Sequence, residues 1–355
     1  MTGVQTCALP ISISTTKAAK SGFLVRKRIA LEAARTIDIV LFDKTGTLTR
    51  GAFGVMGVWA AMGESEEAVL AHAAALDALS SHPVAKAIVA EARARSLPLI
   101  EATGHTALKG RGAKAMLLGK EMMVGSLALL TAYELAVPPE LAEPVAEAGR
   151  AGQTVIFVVE GGKVRGALAL ADIVREESRA AIAALRSMGI RSAMITGDSE
   201  DVARTVAAHI GLDEYFARVL PEEKAAKVRL LQEAGRKVAM VGDGINDAPA
   251  LAQADLGIAI GAGTNVAIES AGIILVRDDP RDIPKIIRLS RLTYTKMLQN
   301  LWWAAGYNIV AIPLAAGALA AWGIFLEPAF AAILMSASTV IVAVNAMLLA
   351  RRPLA

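Results

Sequence analysis

The stretch IDIVLFDKTGTLTR, Ile37 to Arg50, sets an apolar run against a polar, glycine-containing loop. Ile37–Phe42 is short, rich in β-branched residues, and stops at Asp43-Lys44-Thr45-Gly46, which predicts a strand buried in a parallel sheet. The arrangement recurs downstream. Ile190–Ile195 ends in Thr196-Gly197-Asp198, and Lys237–Val241 ends in Gly242-Asp243-Gly244. Helical stretches over Glu176–Met188, Val202–Ile210 and Glu222–Ala234 alternate with these strands, and Leu256–Ile260 reads as another strand. That alternation predicts an α/β fold with a doubly wound parallel sheet, whose ligands gather at the carboxyl ends of the strands.

Three loops at such ends carry the chemistry: FDKTGTLT (Phe42–Thr49), ITGDS (Ile195–Ser199) and VGDGINDAPAL (Val241–Leu251). Asp43, Asp243 and Asp247 at close quarters would repel one another and raise a carboxyl pKa. A Mg²⁺ ion, which takes hard oxygen ligands, resolves the conflict. One aspartate can then attack phosphorus and form an aspartyl-phosphate. Phosphoryl transfer also needs donors on the equatorial oxygens. The candidates are Lys224 in PEEKAAK, the Thr196 hydroxyl and the Thr45-Gly46 backbone N–H groups.

Working outward, the 355 residues are 54% hydrophobic and 20% charged, too apolar for an ordinary soluble enzyme. The excess collects after residue 300. No charge interrupts Leu301–Leu319 or Pro328–Ala350, and each run approaches or exceeds the roughly 20 residues that cross a bilayer as a helix. Glu327 and Trp322-Gly323 lie between them, which predicts a helical hairpin. Arg288, Arg291 and Lys296 before it, and Arg351-Arg352 after it, place both ends in the cytoplasm. Trp302, Trp303 and Trp322 suit an interfacial belt. A net charge of +3 with no basic tract argues against nucleic acid, and the single cysteine, Cys7, excludes a disulfide framework. Residues 51–165 read as an α+β insert: helical stretches at Glu66–Leu79 and Pro83–Arg95, then strands, with a hairpin turn at Glu160-Gly161-Gly162.

The three loops together resemble the motif set of P-type ATPases, within the haloacid-dehalogenase-like fold. The resemblance implies that Asp43 accepts the γ-phosphoryl of ATP, flanked by Lys44 and Thr45. Asp43, Asp243 and the Thr45 carbonyl would hold Mg²⁺. Lys224 and Thr196 would grip the phosphoryl group. Asn246 and Asp247 would complete the pocket, with Gly197, Asp198 and Asp172 nearby. In the insert, Ser80-Ser81-His82-Pro83 is similar to the SxHP signature of the heavy-metal branch, where the histidine helps position adenine. Asp77, Gly110 and Gly112 would share that pocket. Asp77 stands where the family usually has the longer Glu, and Ser81 where Glu is common. From the residues alone, His82-Pro83 reads as a helix start.

Tyr307-Asn308 and Met335-Ser336-Ala337-Ser338 resemble the copper/silver subgroup. That implies contacts from Tyr307, Asn308, Met335 and Ser338 to a transported copper or silver ion, and a thioether suits such soft cations. Asn308, Ser336, Ser338, Thr339 and Asn345 read equally as polar glue between helices. The apolar runs lack the acidic and lysine residues of the zinc/cadmium subgroup, whose members and other heavy-metal pumps stand as alternatives.

The expected layout is a linker helix at 13–35, a phosphorylation domain at 36–50 and 166–290, and a nucleotide-binding domain at 51–165. Two transmembrane helices follow within 291–350, at about 301–319 and 328–350, then a cytoplasmic tail at 351–355. The resemblance covers about residues 13–355, the C-terminal half of such a pump. It leaves out the actuator domain, the upstream helices and their Cys-Pro metal motif, so the chain is not expected to complete a transport cycle. Cys7 is not expected to be that motif's cysteine: Thr2–Ile11 matches the translation of a sequencing-adapter oligonucleotide, and residues 1–12 are read as an artefact. Expected partners are ATP, a lipid bilayer, the metal cation and a cytoplasmic metallochaperone. The expected location is the plasma or inner membrane of a bacterium, with the catalytic domains cytoplasmic. Two rivals remain: a haloacid-dehalogenase-like phosphatase with a membrane tail, and a non-enzymatic membrane fragment with a nucleotide-binding lobe.

Overall fold

A computed structural model describes residues 2–243, 245–261, 265–318 and 328–354. The expected hairpin loop with Trp322, Gly323 and Glu327, and Gly244 of the third loop, lie outside the described residues, as do the side chains of Cys7 and Tyr307. The chain forms two compact units, one of Met1–Asp43, Glu177–Ala193 and Leu220–Ala355, the other of Lys44–Glu176 and Met194–Val219. Among the described residues the strands are β1 (Phe23–Val25), β2 (Ile39–Asp43), β3 (Thr49–Ala60), β4 (Thr103–Leu108), β5 (Gly112–Leu117), β6 (Lys120–Gly125) and β7 (Thr154–Glu160). They continue as β8 (Lys163–Val174), β9 (Arg191–Ile195), β10 (Glu214–Phe216), β11 (Val238–Gly242), β12 (Leu256–Ala259) and β13 (Ile273–Leu275).

In the first unit the strands run in the order β1-β13-β12-β11-β2. β11 pairs in parallel with both β2 and β12, and β12 with β13. Every residue of β2 and β11 is buried, which is why both read as unbroken apolar runs rather than alternating ones. β1 closes the edge antiparallel to β13. It also corrects the expected linker helix at 13–35. The helix Thr2–Lys20 stops at Ser21-Gly22, and a second helix, Arg28–Ala33, starts only after β1. Gly22 turns at φ +95°, and a Cβ there would lie 2.7 Å from the Arg277 guanidinium. Phe23 is then completely buried.

Helices Thr2–Lys20, Asp282–Ala315 and Pro328–Arg351 pack on one another in this unit. Among the described residues, Ala329–Arg351 is the helix long and apolar enough to cross a membrane. The earlier apolar run forms the last part of the 34-residue helix Asp282–Ala315, whose first half is charged. Lys17 Nζ donates to the carbonyls of Leu349 (3.1 Å), Ala350 (2.9 Å) and Arg352, capping the end of Pro328–Arg351 where the helix dipole is negative. Asn345 acts as interhelical glue: it accepts from Lys296 Nζ at 2.7 Å and donates to Asn300 Oδ1 at 2.8 Å.

The second unit is built on an antiparallel sheet in the order β3-β8-β7-β6-β5-β4. Residues alternate between two cores with the period of a strand. Met122, Val124, Val158, Leu168 and Leu170 pack with helices Glu66–Asp77 and Pro83–Ala94. Met123, Phe157, Val159 and Ala167 pack instead with Leu129, Leu130 and Leu141 from helices Leu127–Ala132 and Pro139–Arg150. Fully burying each large apolar side chain contributes about 1.5–3 kcal/mol. The hairpin turn falls where expected, with Gly161 and Gly162 both at positive φ between the paired Glu160 and Lys163.

The insert's edges differ from the expected 51 and 165. β3 and β8 pair from Thr49 and Val174 out to Ala60 and Gly166, with register shifts between Thr49 and Phe53 and between Val55 and Gly57, so positions 51 and 165 fall inside these two strands. The compact unit begins at Lys44 and also takes in Met194–Val219.

Candidate active site

In the first unit the parallel register pairs Phe42 with Val241, so the ends of β2 and β11 lie side by side. Asp43 ends β2, and Asp243 directly follows β11. Asp43, Asp243 and Asp247 offer carboxylate oxygens that all lie within 4.8 Å of one another. Gly242 makes this approach possible, because a Cβ there would lie 2.5 Å from Asp247 Oδ2. Lys224, at the start of helix Lys224–Glu233, reaches Asp43 Oδ1 at 2.6 Å and Asp247 Oδ1 at 2.7 Å. Asp43, Asp247 and Lys224 are all buried, Asp243 is half-buried and Asn246 is exposed.

Lys224 bonds two of the three clustered carboxylates, Asp43 and Asp247. Two like charges about 5 Å apart repel by on the order of 3 kcal/mol at an effective dielectric near 20. Burial, followed by the Asp247 carboxylate, pushes Asp43 up to about 7 against the pull of Lys224, and Asp243 adds to the push. Burial works against the Lys224 ammonium, yet Asp43 and Asp247 outweigh it and hold its pKa above the ordinary lysine value. The clustered carboxylate oxygens are hard donors of the kind that Mg²⁺ takes, so the residues present fit that ion.

The second unit holds the loop after Asp43. Thr45 (φ −74°, ψ 132°) and Gly46 (φ 74°, ψ −17°) form the centre of a type II turn, which requires glycine at its second position. Arg175 braces the turn, donating to Gly46 O at 3.1 Å and Thr49 O at 3.0 Å. The Thr49 hydroxyl bonds the Asp172 carboxylate, so Asp172 supports this loop. Lys44 pairs with Asp198 at 2.5 Å. Thr196 is buried; its hydroxyl accepts from Asp198 N at 3.2 Å and its N–H donates to Phe216 O at 2.9 Å. Thr45 and Gly197 are exposed. Arg175 escaped the sequence reading because the carbonyl it grips on Thr49 is 126 residues away.

A cleft of about 480 Å³ in the same unit is lined by Asp77, His82, Gly110 and Gly112, the four residues expected to share a pocket. Arg111, between the two glycines, and Ser126 line it too, as do His105 and Lys109, which carried no motif of their own. Burial alone pushes Asp77 up to about 6. His82 is also the helix start that its sequence suggested: Nδ1 accepts from Val84 N at 3.3 Å, with Pro83 at the first helical position. That bond puts the ring proton of neutral His82 on Nε2. Gly112 lets β5 approach β6, because a Cβ there would meet Val124 O at 2.0 Å. Gly110 turns at φ +72° in open space.

Residues 37–255 match the haloacid dehalogenase-like hydrolase family. The chain belongs to that family. Relatives extend the likeness over nearly all of the chain. A copper-exporting P-type ATPase B from Archaeoglobus fulgidus is 53% identical over 96% of this chain and 49% of its own length. Its namesake from Enterococcus hirae is 42% identical over 96% and 46%. A crystal structure of a zinc-transporting PIB-type ATPase superposes with a TM-score of 0.88 at 34% identity, covering 97% of this chain and 55% of that one. The catalytic domain of the CPx-ATPase CopB-B gives a TM-score of 0.58 at 28% identity, over 77% of this chain and 98% of that domain. The chain spans about half the length of the curated relatives it matches.

Among the expected transport residues, Asn308 and Met335 are exposed on their helices. Ser338 is half-buried and lines an apolar groove with Trp302 and Trp303. The hydroxyls of Ser336 and Thr339 bond back to their own helix, donating to Ala332 O and Met335 O, both at 3.0 Å.

Proposed function

We propose that the chain carries the phosphorylation, nucleotide-binding and last membrane parts of a P-type pump that exports copper or silver from the cytoplasm of a bacterium. The observation that carries this reading is Asp43, buried at a strand end and held by Lys224 beside two further carboxylates. Asp43 attacks the γ-phosphorus of ATP; a carboxylate O–P bond forms, the bond to the ADP oxygen breaks, and ADP leaves. Lys224 balances charge on the transferred group and keeps Asp43 oriented. Asp43 and Asp243 would hold Mg²⁺, which would supply the positive charge the phosphoryl oxygens need. Asn246 and Asp247 close the pocket. The cleft around Asp77, His82, Gly110 and Gly112 takes the adenine: His82 Nε2–H donates, and the Asp77 carboxylate accepts from the exocyclic amine.

Copper is favoured by the similarity to copper-exporting relatives and by the Met335 thioether, a soft ligand. Tyr307, Asn308 and Ser338 would complete its path, and a cytoplasmic metallochaperone would deliver it. The similarity to a zinc-transporting structure keeps zinc as the second cargo to test. Incubation with γ-labelled ATP and Mg²⁺ tests the chemistry. The reading expects a label that survives acid, is released by hydroxylamine, and is lost in D43N. Steady hydrolysis of small phosphate esters without such a label would instead favour the phosphatase.

A further inference from the structure

A narrow cavity of about 100 Å³ opens among helices Thr2–Lys20, Arg28–Ala33 and Asp282–Ala315, all in the first unit. Arg28, Glu32, Arg35 and Tyr294 line it, with Leu31 and Met297 as apolar wall. The Arg35 guanidinium carbon lies 3.7 Å from the centroid of the Tyr294 ring. Stacking fixes that guanidinium flat and leaves its N–H edge to meet oxygens. Among the described residues, no ion pair holds Arg28, Arg35 or Glu32. The hydroxyls at the rim are committed elsewhere: Thr15 donates to carbonyls of its own helix, Ser290 to Leu31 O and Thr293 to Leu289 O. The donors left for a ligand are two arginines and a phenol, which suit an anion with several oxygens.

The cavity's place in the chain says which anion. Tyr294 precedes the uncharged run at Leu301 by two helical turns, about 10 Å at 1.5 Å per residue. The polar layer of a bilayer leaflet is roughly 5–8 Å thick, so the Tyr294 backbone lies just outside it, and the long arginine and tyrosine side chains span the remaining distance to it. Lys17 caps Pro328–Arg351 on the neighbouring helices, and Arg351 and Arg352 are exposed there. Basic pockets between helices on the cytoplasmic side are suited to anionic headgroups. We propose that Arg28, Arg35 and Tyr294 hold the phosphate of an anionic phospholipid of the cytoplasmic leaflet. Glu32 lowers the net charge of the cavity, so one phosphate neutralises it. This inference rests on the membrane placement given above.

The test uses the full chain in detergent, with dioleoyl phosphatidylglycerol, phosphatidylethanolamine and phosphatidylcholine offered in equal amounts and retention read by native mass spectrometry. The expected result is a preference of at least about fivefold for phosphatidylglycerol, on the scale of one arginine at a membrane surface. R28Q/R35Q abolishes it, R28K/R35K weakens it while keeping charge and fold, and E32Q strengthens it. Equal retention of the three lipids, or a loss of preference in E32Q, overturns the proposal. Displacement of the lipid by a few millimolar inorganic phosphate also overturns it, because the site would then be one for a soluble anion. Amide exchange of Ala329–Arg351 in lipid nanodiscs reads the membrane placement separately.

Discussion

Replacing Asp43 by asparagine should stabilise the metal-stripped protein while ending its chemistry. Asp43 ordinarily titrates at 3.8 and is pushed up to about 7 by burial and by the neighbouring Asp247 and Asp243 carboxylates. The folded state therefore holds the Asp43 proton more tightly than the unfolded chain does. Between the two values the native protein binds more protons, so stability falls as pH rises from about 4 to about 7, and the full cost is present above that. At 1.36 kcal/mol per unit, the buried charge costs up to about 4 kcal/mol at pH 8. D43N keeps the shape and removes the charge. Amide exchange of the Val40–Phe42 and Met240–Val241 backbone in EDTA reads this directly, because both strands lie in the buried centre of the sheet. D43N should slow exchange at pH 8, gain less at pH 6 and almost nothing at pH 4. Added Mg²⁺ should shrink the difference. A D43N protein less stable than the parent at pH 8, or a gain that does not grow with pH, would refute the charge argument.

Gly242→Ala should drive Asp247 away from Lys224, since the new methyl would lie 2.5 Å from the Asp247 carboxylate; labelling by γ-labelled ATP should fall at least tenfold while the fold survives by circular dichroism. Burial pushes Asp77 up to about 6, so its native pKa exceeds the unfolded value and its cost is complete above pH 6. Asp77→Asn should raise the stability of the insert at pH 8 by up to about 3 kcal/mol and weaken ATP binding, read by urea titration and calorimetry. Arg175→Gln removes the braces on Gly46 O and Thr49 O, so phosphorylation should slow about tenfold while ATP affinity at the Asp77–His82 cleft stays within a factor of two.

The parts legible in the sequence are those whose chemistry sits next to its own strand. Asp43 and Asp243 follow apolar runs, so a motif and a periodicity both point at them. Lys224 was legible through its helix start, and the structure brings it to Asp43 across 181 residues. Asp77, His82, Gly110 and Gly112 line one cleft as expected, because two glycines and a helix-starting His-Pro leave local marks. What stayed hidden depends on distant partners. Arg175 and the Lys17 cap act on carbonyls, and a carbonyl carries no residue-type signal. The division into two units was also illegible at its edges, because β3 and β8 run straight through the expected boundaries. β1 leaves no mark of its own in the sequence, because three residues of strand give almost no period to count and its pairing with β13 is what defines it.

The central claim is an aspartyl-phosphate on Asp43. Trapping the labelled protein with borohydride reduces an acyl phosphate to the alcohol, so the phosphorylated residue is read by peptide mass spectrometry as homoserine. The account predicts homoserine at position 43, dependent on ATP and Mg²⁺. Labelled protein that yields no homoserine at 43, or yields it elsewhere, would contradict it.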